Sequence, residues 1–174
     1  MNKRKKSKMD GNLDEYFIRK VYDLSKESAI NGNDPFAAIL VYNNKICHRS
    51  LDVSVKSSDP TLHAELNVIS EYCSENKIFS LKNYTLYCNV EPCVMCSGAI
   101  HWSRITKVVF GISQEKLQNI TGGNLKPKCN DLINIGYKKI EIIGPLLEEE
   151  GLKIFNEYPI KSKEERHNEF YYSK

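Results

Sequence analysis

Four residues in two short stretches have the types and the spacing for metal chemistry. Cys93 and Cys96 lie three apart in EPCVMCSGAIHW, and His63 and Glu65 lie two apart in TLHAEL, thirty residues earlier. The cysteines could be a redox pair, half of a structural zinc site or part of a catalytic one. Thiolate sulfur and imidazole nitrogen suit zinc far better than magnesium or calcium.

The histidine upstream helps to separate these possibilities. A redox pair does not require it, and a closed structural site needs a fourth ligand with compatible spacing. The sequence contains no second Cys-x-x-Cys and no His-x-x-x-His. Three protein ligands, His63, Cys93 and Cys96, leave one tetrahedral position for water, which is typical of a catalytic site. We therefore predict one catalytic zinc ion per chain.

Glu65 is the predicted proton carrier. Residues two apart in a regular helix point about 200° from one another, so His63 and Glu65 can both face a metal only from a helix start. From there, Glu65 can exchange protons with a substrate without ligating the metal. Helix starts at His63 and at the cysteine pair would also lower the thiol pKa values. Taken alone, Glu65 would be read as a surface glutamate of a helix.

The elements that position these residues follow from hydrophobic periodicity. Apolar residues recur every three or four positions from Leu13 to Ile30, which predicts an amphipathic helix. A hairpin is predicted from PFAAILVY, NNK and ICHRSLDV. Further helices are predicted at TLHAELNVISEYCSEN, CVMCSGAIHWS, QEKLQNI, CNDLINIG and PLLEEEGLKIFNEY, the last with Pro145 at its start, and strands at YTLYCNV, KVVFGI and KKIEIIG. This order predicts a three-layer α/β domain with a mixed sheet between helices.

Length and charge limit the function classes. A chain of 174 residues predicts one domain, which we place at residues 12–160, between a basic, disordered arm at 1–11 and a tail at 161–174. Outside the first nine residues, 20 basic residues stand against 22 acidic ones, which does not favour a nucleic-acid enzyme, although the arm could touch phosphates. No apolar run could span a bilayer or form a secretory signal, so a cytoplasmic protein is expected.

Two motifs and a strand resemble one family of enzymes. The cytidine-deaminase-like superfamily has two zinc-binding motifs, which DPTLHAEL and EPCVMCSGAIHWSRI resemble. Its first strand is similar to NDPFAAILV. The resemblance covers about residues 13–158 and is strongest to the guanine deaminase and tRNA adenosine deaminase branch. It implies a five-stranded mixed sheet, a homodimer, His63, Cys93 and Cys96 as zinc ligands, and Glu65 as proton shuttle. The implied reaction is hydrolytic deamination, in which water replaces a ring amine and ammonia leaves.

The resemblance also implies contacts with the substrate. Trp102 stands where guanine deaminases carry a Tyr-Trp pair, which favours a small purine, but a lone tryptophan is as readily core packing. Phe36 is either a stacking partner of the ring or an apolar strand residue. The backbone N–H of Ala64 would meet the substrate. Glu115 lies in the region where guanine deaminases keep a second acid, or begins a solvated helix.

One position departs from the family. Eleven residues before His63, relatives that act on purines usually have asparagine, and this chain has Asp52. An asparagine amide donates and accepts hydrogen bonds, whereas a carboxylate only accepts them. Asp52 would therefore repel the O6 and N7 acceptors of guanine and prefer amines, ring N–H groups or ribose hydroxyls. In the alternative, Asp52 is a surface strand residue.

These observations predict a hydrolase that deaminates a free purine-like base or nucleoside, such as guanine, guanosine or a related aminated heterocycle. A tRNA adenosine deaminase is the alternative in the same class, and the basic arm would serve it. Two segments speak against this alternative. The usual loop of those enzymes is replaced by ISQEKLQNITGGNLKPKC, and their basic C-terminal helix is replaced by the acidic PLLEEEGLKIFNEY. A cytosine deaminase is a further alternative. From another class, the alternative is a zinc-folded binding module without catalysis.

Overall fold

A computed structural model describes residues 3–121, 127–134 and 139–160, with side chains from residue 12 onward. The predicted tail at residues 161–174 lies outside the described residues. The backbone of residues 3–11, within the predicted disordered arm, is helical, and the side chains of residues 1–11 lie outside the described part of the chain. None of the described helices combines the length and apolar character needed to cross a membrane.

Helices and strands alternate along the chain much as the periodicity predicts. Their order is α1 (Lys3–Ile30), β1 (Ala37–Tyr42), β2 (Lys45–Leu51), α2 (Ser54–Ser57), α3 (Ala64–Asn76), β3 (Thr85–Val90), α4 (Val94–Ser103), β4 (Lys107–Ile112), α5 (Gln114–Thr121), α6 (Cys129–Ile133), β5 (Glu141–Ile143) and α7 (Glu148–Glu157). The single turn of α2 was not predicted from the sequence.

The last helix starts later than the sequence suggests. Pro145 was expected at its start, but α7 begins at Glu148. The reason is a tertiary contact, because the Leu146 N–H donates to the carbonyl oxygens of Phe110 and Gly111, 3.1 Å from each. These bonds hold the segment beside β4 before the helix can begin.

The described strands form one mixed sheet of five. Their order is β2-β1-β3-β4-β5, with β1 antiparallel to β2 and β3, and with β3, β4 and β5 parallel. The β1–β2 hairpin closes through Asn43 and Asn44, whose φ angles are 49° and 60°. Asparagine tolerates this left-handed conformation, which the tight turn requires.

Helices cover both faces of the sheet, as the three-layer prediction requires. Successive strand residues point to opposite faces. On one face, Leu40 and Leu86 of the sheet share a core with Val68 of α3 and Ile100 of α4. The core on the other face joins strand residues to α1 and α7 and includes Ile39, Val41, Tyr87, Val109, Phe17, Val21 and Ile154.

A buried tyrosine in the second core requires glycine at position 151. The Tyr22 hydroxyl donates to the Leu146 carbonyl at 3.2 Å, and its ring lies against Gly151 of α7. A Cβ at position 151 would approach the Tyr22 ring and lie 2.8 Å from Ile112 Cγ1. We expect Gly151→Ala to lower the free energy of unfolding by about 1–3 kcal/mol, measured by urea denaturation.

Gly98 of α4 provides the matched control. A Cβ at position 98 meets no atom within 4 Å. Gly98→Ala should keep or slightly raise stability, because alanine loses less backbone entropy in a helix. Equal unfolding midpoints for the two variants would show that Tyr22 does not restrict position 151.

Candidate active site

The three predicted metal ligands meet where two helices begin. His63 is the N-cap of α3 and Cys93 the N-cap of α4, each with an extended backbone, at ψ 150° and 176°. Cys96 lies in the first turn of α4. The predicted helix starts at His63 and at the cysteine pair are confirmed.

The spacing of the donor atoms fits a tetrahedral metal. His63 Nδ1 lies 3.6 Å from Cys93 Sγ and 3.6 Å from Cys96 Sγ, and the two sulfurs are 3.4 Å apart. Zinc bonds of about 2.0 Å to nitrogen and 2.3 Å to sulfur place a tetrahedral nitrogen–sulfur pair about 3.5 Å apart and a sulfur–sulfur pair about 3.8 Å apart. The histidine–sulfur distances match these values, and the sulfurs would separate by about 0.4 Å to bind the ion. In the part of the chain that the structure describes, no other three residues of these types have donor atoms that all lie within 4.8 Å of one another. The donor set therefore fits zinc in both chemistry and spacing.

The protonation states of the trio are coupled. The hydrogen bond between the two sulfurs lowers the pKa of Cys93 to about 4 and raises the pKa of Cys96 well above its ordinary value. The hydrogen bond with Cys93 raises the pKa of His63 to about 9. Metal ligands bind in their deprotonated forms, so a divalent cation takes the place of the protons that these groups share.

Glu65 lies beside the ligand trio and outside it. It is in the first turn of α3 and lines the same cavity as His63 and Cys93. Burial raises the pKa of Glu65 to about 7. Ala64, between His63 and Glu65, is the first residue of α3 and is fully buried.

A cavity of about 210 Å³ opens in front of the ligand trio. Sites for drug-sized ligands measure about 300–1,000 Å³, so this cavity fits a smaller heterocycle. Its lining comes from the end of β3 and the segment after it, from the starts of α2 and α3, from α5, and from the segments before β1 and after β2. The lining residues are Asp34, Phe36, Asp52, Ser54, His63, Glu65, Val90, Glu91, Cys93, Gln114, Leu117, Gln118 and Thr121.

The structure brings Phe36 and Asp52 to this cavity. Asp52 is 5% exposed, so it is not a surface strand residue. Its Oδ1 accepts hydrogen bonds from the Ser54 N–H at 2.9 Å and the Ser54 hydroxyl at 2.6 Å. The Phe36 ring lies 5.5 Å from that of Phe155, at the apolar side of the cavity.

Two other predicted contacts are not brought to this cavity. Trp102 is 78% exposed and lines a separate groove with Phe79, so within one chain it neither packs in the core nor reaches the ligand trio. It lies six residues after Cys96, the nearer ligand along the chain, which is roughly 9 Å along α4. Glu115 is exposed, with its carboxylate 3.9 Å from the Lys128 ammonium.

Glu91 and Gln114 are among the cavity residues that sequence reasoning missed. Glu91 directly follows β3 and Gln114 closely follows β4, and these strands are neighbours and parallel. Ligands of open α/β sheets bind outside the carboxyl ends of the strands. The position after each strand was therefore a usable signal, but it required the strand order.

Comparisons with known proteins agree with this site. The chain matches the family model described as "Cytidine and deoxycytidylate deaminase zinc-binding region" over residues 11–112. It is 36% identical over 145 residues to the tRNA-specific adenosine deaminase of Buchnera aphidicola subsp. Baizongia pistaciae, covering 83% of this chain and 87% of that protein. It is 33% identical over 141 residues to the probable cytosine deaminase of Schizosaccharomyces pombe, covering 78% of this chain and 86% of that protein.

A solved structure supports the fold. The guanine deaminase from Nitrosomonas europaea superimposes with a TM-score of 0.73 at 20% identity, covering 83% of both chains. The five-stranded mixed sheet between helices is thus shared with a deaminase. From the matched motifs, the donor trio and this fold, we conclude that the chain belongs to the cytidine and deoxycytidylate deaminase family, zinc-dependent hydrolases of C–N bonds with one zinc ion per chain.

Proposed function

We propose that this chain deaminates a purine-like heterocycle that it binds as a free base or nucleoside. The observation that carries this proposal is the cavity of about 210 Å³ in which Asp52 and Glu65 lie beside the ligands His63 and Cys93. Zinc bound there would act as a Lewis acid and make water nucleophilic at neutral pH. The remaining tasks fall to side chains of the chain itself.

Glu65 moves the protons. Its carboxyl lines the cavity next to the ligands, within the first turn of α3. It takes one proton from the attacking water and passes it to the ring nitrogen. It then takes the second proton from the new hydroxyl on the ring carbon and passes it to the amine. The bond from the ring carbon to the amine breaks, a carbonyl replaces it, and ammonia leaves, so water and substrate account for all atoms.

Asp52 orients the ring. Ser54 occupies Oδ1 through two hydrogen bonds, which leaves Oδ2 for a substrate in the cavity. A carboxylate oxygen accepts hydrogen bonds and repels other acceptors. The ring edge that faces Asp52 therefore carries an N–H, an amine or a ribose hydroxyl.

Asp52→Asn should shift selectivity toward guanine. Asparagine keeps an oxygen for Ser54 and places an NH₂ donor where Oδ2 was, so the fold is retained and an O6 acceptor is tolerated. We expect the ratio of kcat/KM for guanine to that for adenine to rise about tenfold, the scale of one exchanged base-edge contact. The control is Asp23→Asn, an exposed residue of α1. Equal selectivity before and after the change would show that Asp52 does not face the substrate.

A second candidate is deamination of adenosine in tRNA. The relative named tRNA-specific adenosine deaminase, at 36% identity, favours it. Ammonia release from guanine, guanosine, adenine, cytosine and a tRNA anticodon stem separates the candidates. Turnover of guanine, guanosine or adenine supports our proposal, whereas activity on the RNA alone or on cytosine alone overturns it. No turnover of any of them would favour the binding module. The expected homodimer and cytoplasmic location stay predictions.

A further inference from the structure

Glu91 is a buried carboxylate that joins three segments around the cavity. It is 7% exposed and lies two residues before the ligand Cys93. Its Oε2 accepts the N–H of Gln114 at 3.1 Å, and its Oε1 accepts the N–H of Cys129 at 3.0 Å. These amides belong to the first residues of α5 and α6. One side chain thus ties two helix starts to the loop that carries a metal ligand.

The helix held in this way forms a wall of the cavity. Gln114 and Leu117 of α5 both line the cavity, and Leu117 packs with Phe36 on a small apolar cluster around Phe155. The Gln114 side chain also donates to the Glu91 carbonyl oxygen at 3.2 Å. A shift of α5 would therefore change the opening in front of the ligand trio.

A second carboxylate anchors α5 from the outside. Glu148 of α7 accepts hydrogen bonds from the Ser113 N–H at 2.9 Å and the Ser113 hydroxyl at 2.6 Å. Because these bonds do not involve Glu91, we expect that weakening Glu91 loosens the inner side of α5 without unfolding it.

We propose that Glu91 is a positioning residue that holds α5 over the cavity and so sets how tightly a bound metal and a bound substrate are enclosed. The part of this inference that concerns substrate rests on the proposed function. The part that concerns metal enclosure rests on the donor trio and on the bonds of Glu91. A purely structural carboxylate would stabilise the fold without controlling access to the cavity.

The variant that tests this is Glu91→Gln. The amide keeps one acceptor oxygen and turns an N–H donor toward a backbone N–H, so one of the two helix starts loses its partner. Asp14→Asn is the matched control, because Asp14 is also buried and accepts hydrogen bonds from Tyr87 at 2.7 Å and Lys107 at 2.8 Å. Tyr87 and Lys107, the partners of Asp14, lie toward the other end of the sheet, where β3 and β4 begin.

The first measurement needs no substrate. Zinc-loaded proteins are mixed with a chromogenic chelator well below their melting temperatures, and amide hydrogen exchange is followed in residues 114–121. Glu91→Gln should release zinc about tenfold faster or more and exchange faster in α5, a change comparable to losing an outer partner of a metal ligand. Asp14→Asn should do neither. Equal release and exchange in the two variants would overturn the inference.

The second measurement uses whichever heterocycle the ammonia assay identifies. Glu91→Gln should raise KM about tenfold with a smaller change in kcat, since the wall contacts substrate and not the reacting atoms. An unchanged KM in the zinc-loaded variant would overturn the part that concerns substrate. If the parent protein turned over no heterocycle and Glu91→Gln still released zinc faster, Glu91 would be supported as a positioning residue and the proposed function would be contradicted.

Discussion

Glu65→Gln should lower kcat at least about a hundredfold while zinc content and melting temperature stay close to those of the parent. The amide has the shape of the carboxyl but cannot carry a proton between water and substrate, and acid–base assistance is typically worth about a hundredfold to ten-thousandfold. Burial raises the pKa of Glu65 to about 7, so an uncharged side chain costs the fold little. Ammonia release, metal analysis and a thermal melt check the three parts.

Glu75→Gln is the control for this prediction. Glu75 lies in the same helix α3, with a side chain that is 63% exposed and 3.8 Å from the His48 ring. Its replacement removes a charge of the same kind away from the cavity, so turnover should be unchanged. If Glu65→Gln turned over like the parent, Glu65 would have no part in the mechanism.

Cys96→Ala should remove the metal and with it all measurable turnover. Cys96 is fully buried and supplies one of three donor atoms that lie 3.4–3.6 Å apart. Loss of an outer partner of a ligand already costs about 10–100-fold in metal affinity, so loss of the ligand itself should cost more. Metal analysis after gel filtration should fall from about one zinc ion per chain to nearly none. The melting temperature should fall too, because metal binding stabilises only the folded state.

Cys73→Ala is the matched control for the ligand variant. Cys73 is a half-buried thiol of α3 outside the donor trio. Its replacement should keep both zinc and turnover. A Cys96→Ala protein that still held one zinc ion per chain would show that the metal has other ligands. Turnover that survived exhaustive removal of zinc by a chelator would contradict the metal-dependent reaction itself.

The sequence alone was enough to predict the donor trio and the layers. Ligand type and spacing are local properties, because His63 and the Cys93–Cys96 pair each lie at the start of one helix. The continuous apolar run of β1, AAILVY, likewise predicts a strand that is buried on both faces of its sheet. The late start of α7 was not predictable in this way, because it depends on bonds from Leu146 to β4.

The sequence by itself was enough to predict the metal ligands and the class of fold, since both rest on patterns within short segments, namely TLHAEL, EPCVMC and the apolar periodicity of each element. Only the tertiary structure decided which side chains share the cavity. It brings in Asp52, Glu91 and Gln114 and leaves Trp102 and Glu115 outside. The physical reason is that strand order and helix packing, set by contacts between distant segments, fix which ends of the elements meet at the metal.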